Sequence, residues 1–191
     1  MKRMQPMTRE HLEALRKTAN ETGAKEACLI ALMTRHIIRC SEVAGTDAEG
    51  RPTGLKKSDI NLLDGTIHIT RLKRSNSTTE ALRPGERDVL QAWLAVKPES
   101  PWLFPGRNLD EPMDRKTTFN IYRSLCRKAG VPVTSAAPHS SRHTLGTDLT
   151  RLGAPMKLVQ QAGGWKTIQA AAKYQELTQA HVDAEVARLL A

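Results

Sequence analysis

Apolar residues fall at helical spacing along most of the chain and alternate only in one short central stretch. TREHLEALRKTAN puts Leu12 and Leu15 inward, with Thr8 as cap, Glu10 in the first turn and Gly23 as the break. AKEACLIALMTRHIIR is apolar at Ala27, Leu29, Ile30, Leu32, Met33 and Ile37. That stripe is too broad for a surface helix, so it predicts burial against several neighbours and delivers Arg39 at the helix C-terminus. Thr46–Gly54, TDAEGRPTG, reads as a loop insertion. SDINLLDGTIHITRLK then predicts two strands about Asp64-Gly65, the second ending at Lys73, with a third strand near TTEALR.

Helical spacing returns in PGERDVLQAWLAV, which turns Val89, Leu90, Trp93 and Leu94 inward; PESPWLFPG reads as an irregular link. Asp114 caps RKTTFNIYRSLCRKAG, with Phe119, Tyr122, Leu125 and Cys126 on one face, so Tyr122 reads as core. After Pro138, HSSRHTLGTDLTRLG carries Leu145, Leu149 and Leu152 at helical spacing and closes at Gly153. Pro155 opens APMKLVQQAG, which ends at Gly163 and Gly164; Trp165 follows on a turn and Tyr174 on an Ala-rich helix. A last helix, Thr178 to Leu190, aligns Val182, Val186, Leu189 and Leu190. The pattern is mainly α with a small antiparallel three-stranded sheet, an α+β fold. With 191 residues and 39% apolar composition, a single domain over residues 1–191 is expected.

Charge narrows the partner. A net +9, from 29 Lys and Arg against 20 Asp and Glu, favours a polyanion, while 4% aromatics leaves too few rings for a single-strand stacking platform. Duplex DNA gripped by its phosphates fits better. Arg115, Lys116, Arg123, Arg127 and Lys128 make one side of their helix basic, which suits a DNA backbone or water alike. Cys28, Cys40 and Cys126 are odd in number without C-x-x-C spacing, so neither disulfides nor a zinc knuckle is expected. No signal-peptide core or membrane-length apolar run is evident, and the expected location is the cytoplasm, with no membrane partner.

His139 and Arg142 are three apart and share a helix face; two chain reversals later come Trp165 and, nine residues on, Tyr174. This order of H-x-x-R, G-W and Tyr resembles the tyrosine site-specific recombinase (phage integrase) family over about residues 8–178. IIRCSEVAG resembles the family's first-arginine motif, with Ile37 where the family often has Gly, and implies Arg39 as the first catalytic arginine and Glu42 as a carboxylate orienting the site. Read without the resemblance, Arg39 is a helix-end cation and Glu42 a surface acid. IHITRLKR implies Lys73 as the strand-end catalytic lysine, Arg74 being the alternative; either is otherwise a phosphate contact or solvated charge.

The resemblance implies the recombinase catalytic-domain fold without a separate N-terminal DNA-clamping domain, in a form like the recombinases that invert fimbrial promoter segments. It implies catalytic Arg39, Lys73, His139, Arg142, Trp165 and Tyr174, supported by Glu42 and His143, with Arg74, Arg115, Lys116, Arg123 and Lys166 as candidate DNA contacts. It also implies site-specific recombination of duplex DNA through a 3′-phosphotyrosine, with no cofactor or metal. A bacterial, nucleoid-associated homo-oligomer, tetrameric on DNA and monomeric when free, is expected, with host DNA-bending proteins as partners. The terminal helix would dock on a neighbouring subunit or on its own domain.

The chemistry agrees with those residue types. A tyrosine stores the phosphodiester bond as a covalent ester, and two guanidinium forks that cannot deprotonate clamp the phosphate in place of a metal. His139 handles protons, Lys73 supplies one to the leaving 5′ oxygen, and the Trp165 indole can only donate a hydrogen bond. A zinc helix from His139 and His143 lacks its glutamate, since Ser140 stands there and Arg142 would repel the metal. A Ser140 or Ser141 nucleophile would sit beside the clamp rather than opposite it. A recombinase relative that only binds DNA is the non-enzymatic alternative, and a type IB topoisomerase shares the chemistry.

Overall fold

The computed structural model describes residues 5–73, 75–174 and 186–187. Arg74 and the expected Thr178–Leu190 helix, apart from Val186 and Ala187, lie outside the described residues. α1 (Arg9–Thr22) starts at Thr8, whose hydroxyl accepts from the His11 amide while the His11 ring accepts from the Thr8 amide. Leu12, Leu15 and Ala19 form its buried side. α2 (Ala24–Arg35) packs on α1 and is buried without a break from Ala27 to Thr34, as its broad apolar stripe predicts.

α2 stops four residues before Arg39, which corrects the expected helix end. Arg16 takes the Thr34 carbonyl at 2.7 Å and its hydroxyl at 2.9 Å, and His36 turns extended to place its ring between Glu80 and Glu86. The Ile37 carbonyl is thereby freed to accept from two arginines, Arg71 and Arg142. Arg39 instead precedes the first turn of α3 (Cys40–Val43), where its own amide donates to Glu42 at 2.8 Å.

The expected loop insertion is a hairpin. β1 (Ala44–Thr46) pairs antiparallel with β2 (Pro52–Gly54), and Asp47 ties the tip by accepting from the Glu49 and Arg51 amides. Strands this short, flanked by glycines, show no alternation to read. After a 3₁₀ turn at Lys57–Asp59, β3 (Ile60–Asn61), β4 (Thr66–Ile69) and β5 (Thr78–Ala81) form the expected three-stranded antiparallel sheet in the order β3-β4-β5. β4 ends at Ile69, so Lys73 lies in the β4–β5 connection and not at a strand end; its φ is +57°, in the left-handed region.

α4 (Glu86–Val96) buries Leu90 and Trp93, and Trp93 stacks on Phe104 with centroids 6.3 Å apart. The irregular 98–106 link is therefore core, with Leu103 and Phe104 buried. α5 (Arg115–Lys128) is capped by Asp114 as expected and buries Tyr122, Leu125 and Cys126; Thr118 takes the place expected of Phe119, which is only half-buried. α6 (Pro138–Arg151) corrects the leucine reading: Leu145 and Leu149 are half-buried and Leu152 is exposed. Its inward face is Ser140, Ser141, Thr144, Gly146 and Thr147, whose small side chains admit close neighbours, and the Thr144 hydroxyl accepts from the Met7 amide at 2.7 Å. α7 (Met156–Ala162) and α8 (Ile168–Ala172) follow after Gly153 and Pro155. A main apolar core joins α1, α2, α4, α5 and the sheet, and a smaller cluster joins Ile37, Val159, Trp165, Ala171 and Tyr174. Among the described residues no helix is long and apolar enough to cross a membrane.

His36 is the buried ionisable link between sheet and α4. Burial alone would lower its pKa, but hydrogen bonds and charge from Glu80 and Glu86 raise it. Its contribution to stability is complete below the ordinary histidine range and disappears as pH rises through the raised value. Urea unfolding should therefore show wild type and His36→Gln converging as pH rises, whereas a gap that widens with pH would reject a charged His36.

Candidate active site

The site is assembled on one carboxylate. Glu42, 2% exposed, accepts from the backbone amides of Arg39 (2.8 Å) and Leu72 (3.0 Å) and forms an ion pair with the Arg39 guanidinium. Arg71 Nη1 lies 3.3 Å away and Arg142 Nη1 3.9 Å away. Burial opposes the charge on Glu42, but Arg39, Arg71 and the two amides outweigh it and lower its pKa. Glu42 thus stays an anion at neutral pH and holds three arginines in one place. The structure thus brings Arg39, Glu42 and Arg142 together.

Arg142, 2% exposed, donates to the Ile37 carbonyl at 2.8 Å and lies 5.1 Å from the Trp165 ring centre. Burial first, then repulsion from Arg39, lowers its pKa, while Tyr174 and Glu42 support its charge. Two cations are therefore forced together, an arrangement that favours an anion bound between them. Tyr174, 1% exposed, packs on Trp165 (4.9 Å between centroids) and edge-on against His143 (5.0 Å), with the Lys173 ammonium 5.2 Å from its ring. His139 is on the exposed side of α6. Partial desolvation, then the charges of Arg142, His143, Lys173 and Arg39, lower its pKa, so it is a neutral imidazole able to accept a proton near pH 7. Ser140 and Ser141 are buried on the inward face of α6, where Ser141 donates to the Pro138 carbonyl at 3.0 Å.

Lys73 is exposed, and the turn that carries it is tied to the clamp on both sides. Arg39 donates to the Leu72 carbonyl (3.3 Å) and the Ser75 hydroxyl (3.2 Å). Arg115, Lys116, Arg123 and Lys166 are all exposed; Arg115 begins α5 beside the Arg39 segment, where its carbonyl lies 3.8 Å from Cys40 Sγ, and Arg123 sits over Phe119.

Sequence reasoning missed Arg71. It is buried and bonds to Ile37, Glu42, Glu80 (2.8 Å), Thr78 and the Ala162 carbonyl (3.2 Å), joining β4, β5, α3 and α7. The signal was present: Ile67 and Ile69 point inward, so the same alternation points Arg71 inward, and a buried cation must have anions. Gln160 was missed as well; its amide donates to the Trp165 carbonyl at 3.0 Å at the end of a cleft of about 470 Å³ between β5 and α7. Gly146 is the third. A Cβ there would stand 2.8 Å from Tyr174 Cγ, so only glycine lets the ring seat on α6. Gly146→Ala should cost about 1–3 kcal/mol from overpacking, more than its helix-propensity gain of up to about 1 kcal/mol. It should also slow any reaction at Tyr174; unchanged melting and activity would show that the ring does not need that seat.

The profile of the phage integrase family matches residues 5–181. The chain belongs to that family. It is 32% identical over 161 residues to the type 1 fimbriae regulatory protein FimE of Escherichia coli (strain K12), covering 80% of this chain and 75% of FimE. It is 29% identical over 135 residues to tyrosine recombinase XerD of Brucella abortus biovar 1 (strain 9-941), covering 64% of this chain and 44% of XerD. The crystal structure of XerA recombinase superposes with a TM-score of 0.78 at 18% identity, over 98% of this chain and 66% of that one. The Tn1549 transposon integrase in complex with a circular intermediate DNA gives 0.79 at 19% identity, over 98% and 67%. Both share the fold described above. Site-specific DNA recombination is the function of a tyrosine recombinase, the class to which this chain belongs.

Proposed function

We propose that the protein cuts and rejoins duplex DNA at specific sites through a covalent link between Tyr174 and a 3′ phosphate. The observation that carries this is the pair Arg39 and Arg142 on one buried carboxylate, Glu42, with Tyr174 against Arg142. The scissile phosphate binds between the guanidinium groups, which match its oxygens and neutralise the charge that grows in the pentacoordinate state. The Tyr174 oxygen attacks phosphorus, His139 handles the phenolic proton, and Trp165 donates a hydrogen bond to the phosphate. The bond to the 5′ oxygen breaks as Lys73 protonates it. A 5′ hydroxyl from a partner duplex then attacks the phosphotyrosine and restores the diester, so no metal or nucleotide is needed.

Similarity to fimbriae regulatory proteins favours inversion of a promoter segment as the outcome. The relatives solved in complex with DNA favour duplex DNA as substrate, and the exposed cations Arg115, Lys116, Arg123 and Lys166 are its candidate backbone contacts. Recombination between two sites calls for a tetramer on DNA, assisted by host bending proteins in the bacterial nucleoid.

A nicked suicide duplex tests the reading, because it traps the covalent adduct. Adduct should form in EDTA. With an ordinary substrate Lys73→Ala should be slow, and sulfur in place of the leaving 5′ oxygen should restore its cleavage, since a thiolate departs without protonation. If sulfur leaves Lys73→Ala slow, the acid is another group. Specific binding with no adduct in wild type would instead identify a DNA-binding accessory protein.

A further inference from the structure

Behind the Lys73 turn lies a second buried charge cluster that the reaction scheme does not use. His36 is 1% exposed, and both ring nitrogens meet carboxylates: Nδ1 is 2.7 Å from Glu80 and Nε2 is 3.0 Å from Glu86. An ionised carboxylate can only accept, so both contacts are satisfied by a ring carrying a proton on each nitrogen. Glu80 then takes Arg71 at 2.8 Å, Arg71 takes Glu42 at 3.3 Å, and Glu42 takes the Leu72 amide at 3.0 Å. Charges of alternating sign thus run from the start of α4 to the residue before Lys73.

The remaining groups around His36 are cationic or neutral. Arg83 lies 3.8 Å from Glu80 and donates its backbone amide to Glu86; Thr78 donates to Glu80; Arg16 feels the charge of Glu86 and of Arg35. Arg83 also reaches both, but with a half-exposed guanidinium on Glu80 and only its uncharged backbone amide on Glu86, so it does not place a buried charge between the two as His36 does.

We propose that His36 is a positioning residue for strand cleavage: as the imidazolium it fixes Glu80 and, through Arg71, the turn that aims Lys73 at the leaving oxygen. Without that charge Glu80 and Glu86 repel across the pocket. Glu80 pairs directly with Ile67 in the β4–β5 register, so its displacement passes along the hairpin to the turn. The His36 ring bonds to neither Arg39 nor Arg142, which hold to Glu42 and the Ile37 carbonyl, so the loss falls on the turn more than on phosphate binding. The proposal rests on Lys73 being the acid.

Wild type, Lys73→Ala, His36→Gln and Glu86→Gln are to be compared on nicked duplexes with oxygen or sulfur at the scissile 5′ position. DNA affinity and thermal unfolding are measured on each. His36→Gln should cleave the oxygen substrate about 10²-fold more slowly, the cost of misplacing a reacting group, and the sulfur substrate at close to the wild-type rate. Equal slowing on both substrates, or no slowing on either, overturns the positioning role even when sulfur rescues Lys73→Ala. If sulfur fails to rescue Lys73→Ala, the acid assignment itself falls and takes the positioning role with it. Should His36→Gln not fold, Glu86→Gln serves instead, because it keeps the ring and weakens one of its two anchors. It should show the same oxygen-selective loss in smaller degree, and an unselective loss there also overturns the proposal.

Discussion

Tyr174→Phe should abolish covalent capture of a nicked duplex while leaving the fold and DNA binding nearly as they are. The ring makes most of the contacts that seat this residue: it packs at a tilt on Trp165, meets His143 edge-on and fills the space left by Gly146. Phenylalanine keeps all three. What is lost beyond the nucleophile is the support that the phenol gives the Arg142 charge. A neutral or singly charged hydrogen bond contributes about 0.5–3 kcal/mol, and each 1 kcal/mol moves the melting point of a chain this size by roughly 2–4 °C. Modest destabilisation is therefore compatible with complete loss of adduct on a denaturing gel. An adduct that persists in Tyr174→Phe would make another residue the nucleophile, and Tyr122 is a poor candidate because it lies in the main apolar core with its hydroxyl on Met7 Sδ at 3.8 Å, where burial pushes its phenol well up.

The reasons that some features were legible and others were not are physical. Thr8, Asp114 and the glycines after α1 and α6 mark helix ends by local backbone chemistry, so those boundaries could be read. The end of α2 could not, because it is set by Arg16, Glu80 and Glu86, which arrive from distant parts of the chain. The same holds for β4: its alternation continues through Arg71, but the strand stops at Ile69 because Arg71 turns its bonds toward α3 and α7. The inward face of α6 inverted the leucine expectation. A helix that seats a tyrosine ring at Gly146 and takes the Met7 amide on Thr144 needs small residues there, and leaves its leucines at the margin.

Spacing put His139 one helical turn from Arg142 and Tyr174 nine residues after Trp165, and the resemblance supplied their roles; the expected shared face is only partly kept, since Arg142 is buried and His139 exposed. Glu42 needed the resemblance, because an acid at i+3 from an arginine is ordinary on any helix surface; its burial and its three arginine partners emerge only in the fold.

Arg142→Ala and Arg39→Ala should each slow cleavage by at least about 2.7 kcal/mol, roughly 10²-fold, the cost of deleting one preorganised donor to the transition state. The two should nevertheless differ in kind. Arg142 makes no bond to the Lys73 turn itself: its partners are the Ile37 carbonyl, which Arg71 still satisfies, Glu42, which Arg39 and Arg71 still hold, the Gly163 carbonyl, Tyr174 and the Trp165 ring. Sulfur at the leaving position should leave Arg142→Ala almost as slow as before, since charge still develops on the phosphate. Arg39, by contrast, also holds the Lys73 turn at Leu72 and Ser75. Its removal costs both a clamp member and the placement of the acid, so Arg39→Ala should be slower than Arg142→Ala on the oxygen substrate and partly rescued by sulfur. Lysine should not replace either residue, because an ammonium offers no fork for two phosphate oxygens. Specific DNA affinity should fall less than cleavage in all of these variants, as many surface cations share the backbone contacts. Equal responses of Arg39→Ala and Arg142→Ala to sulfur would show that Arg39 acts on the phosphate only, and that the Lys73 turn keeps its place without it.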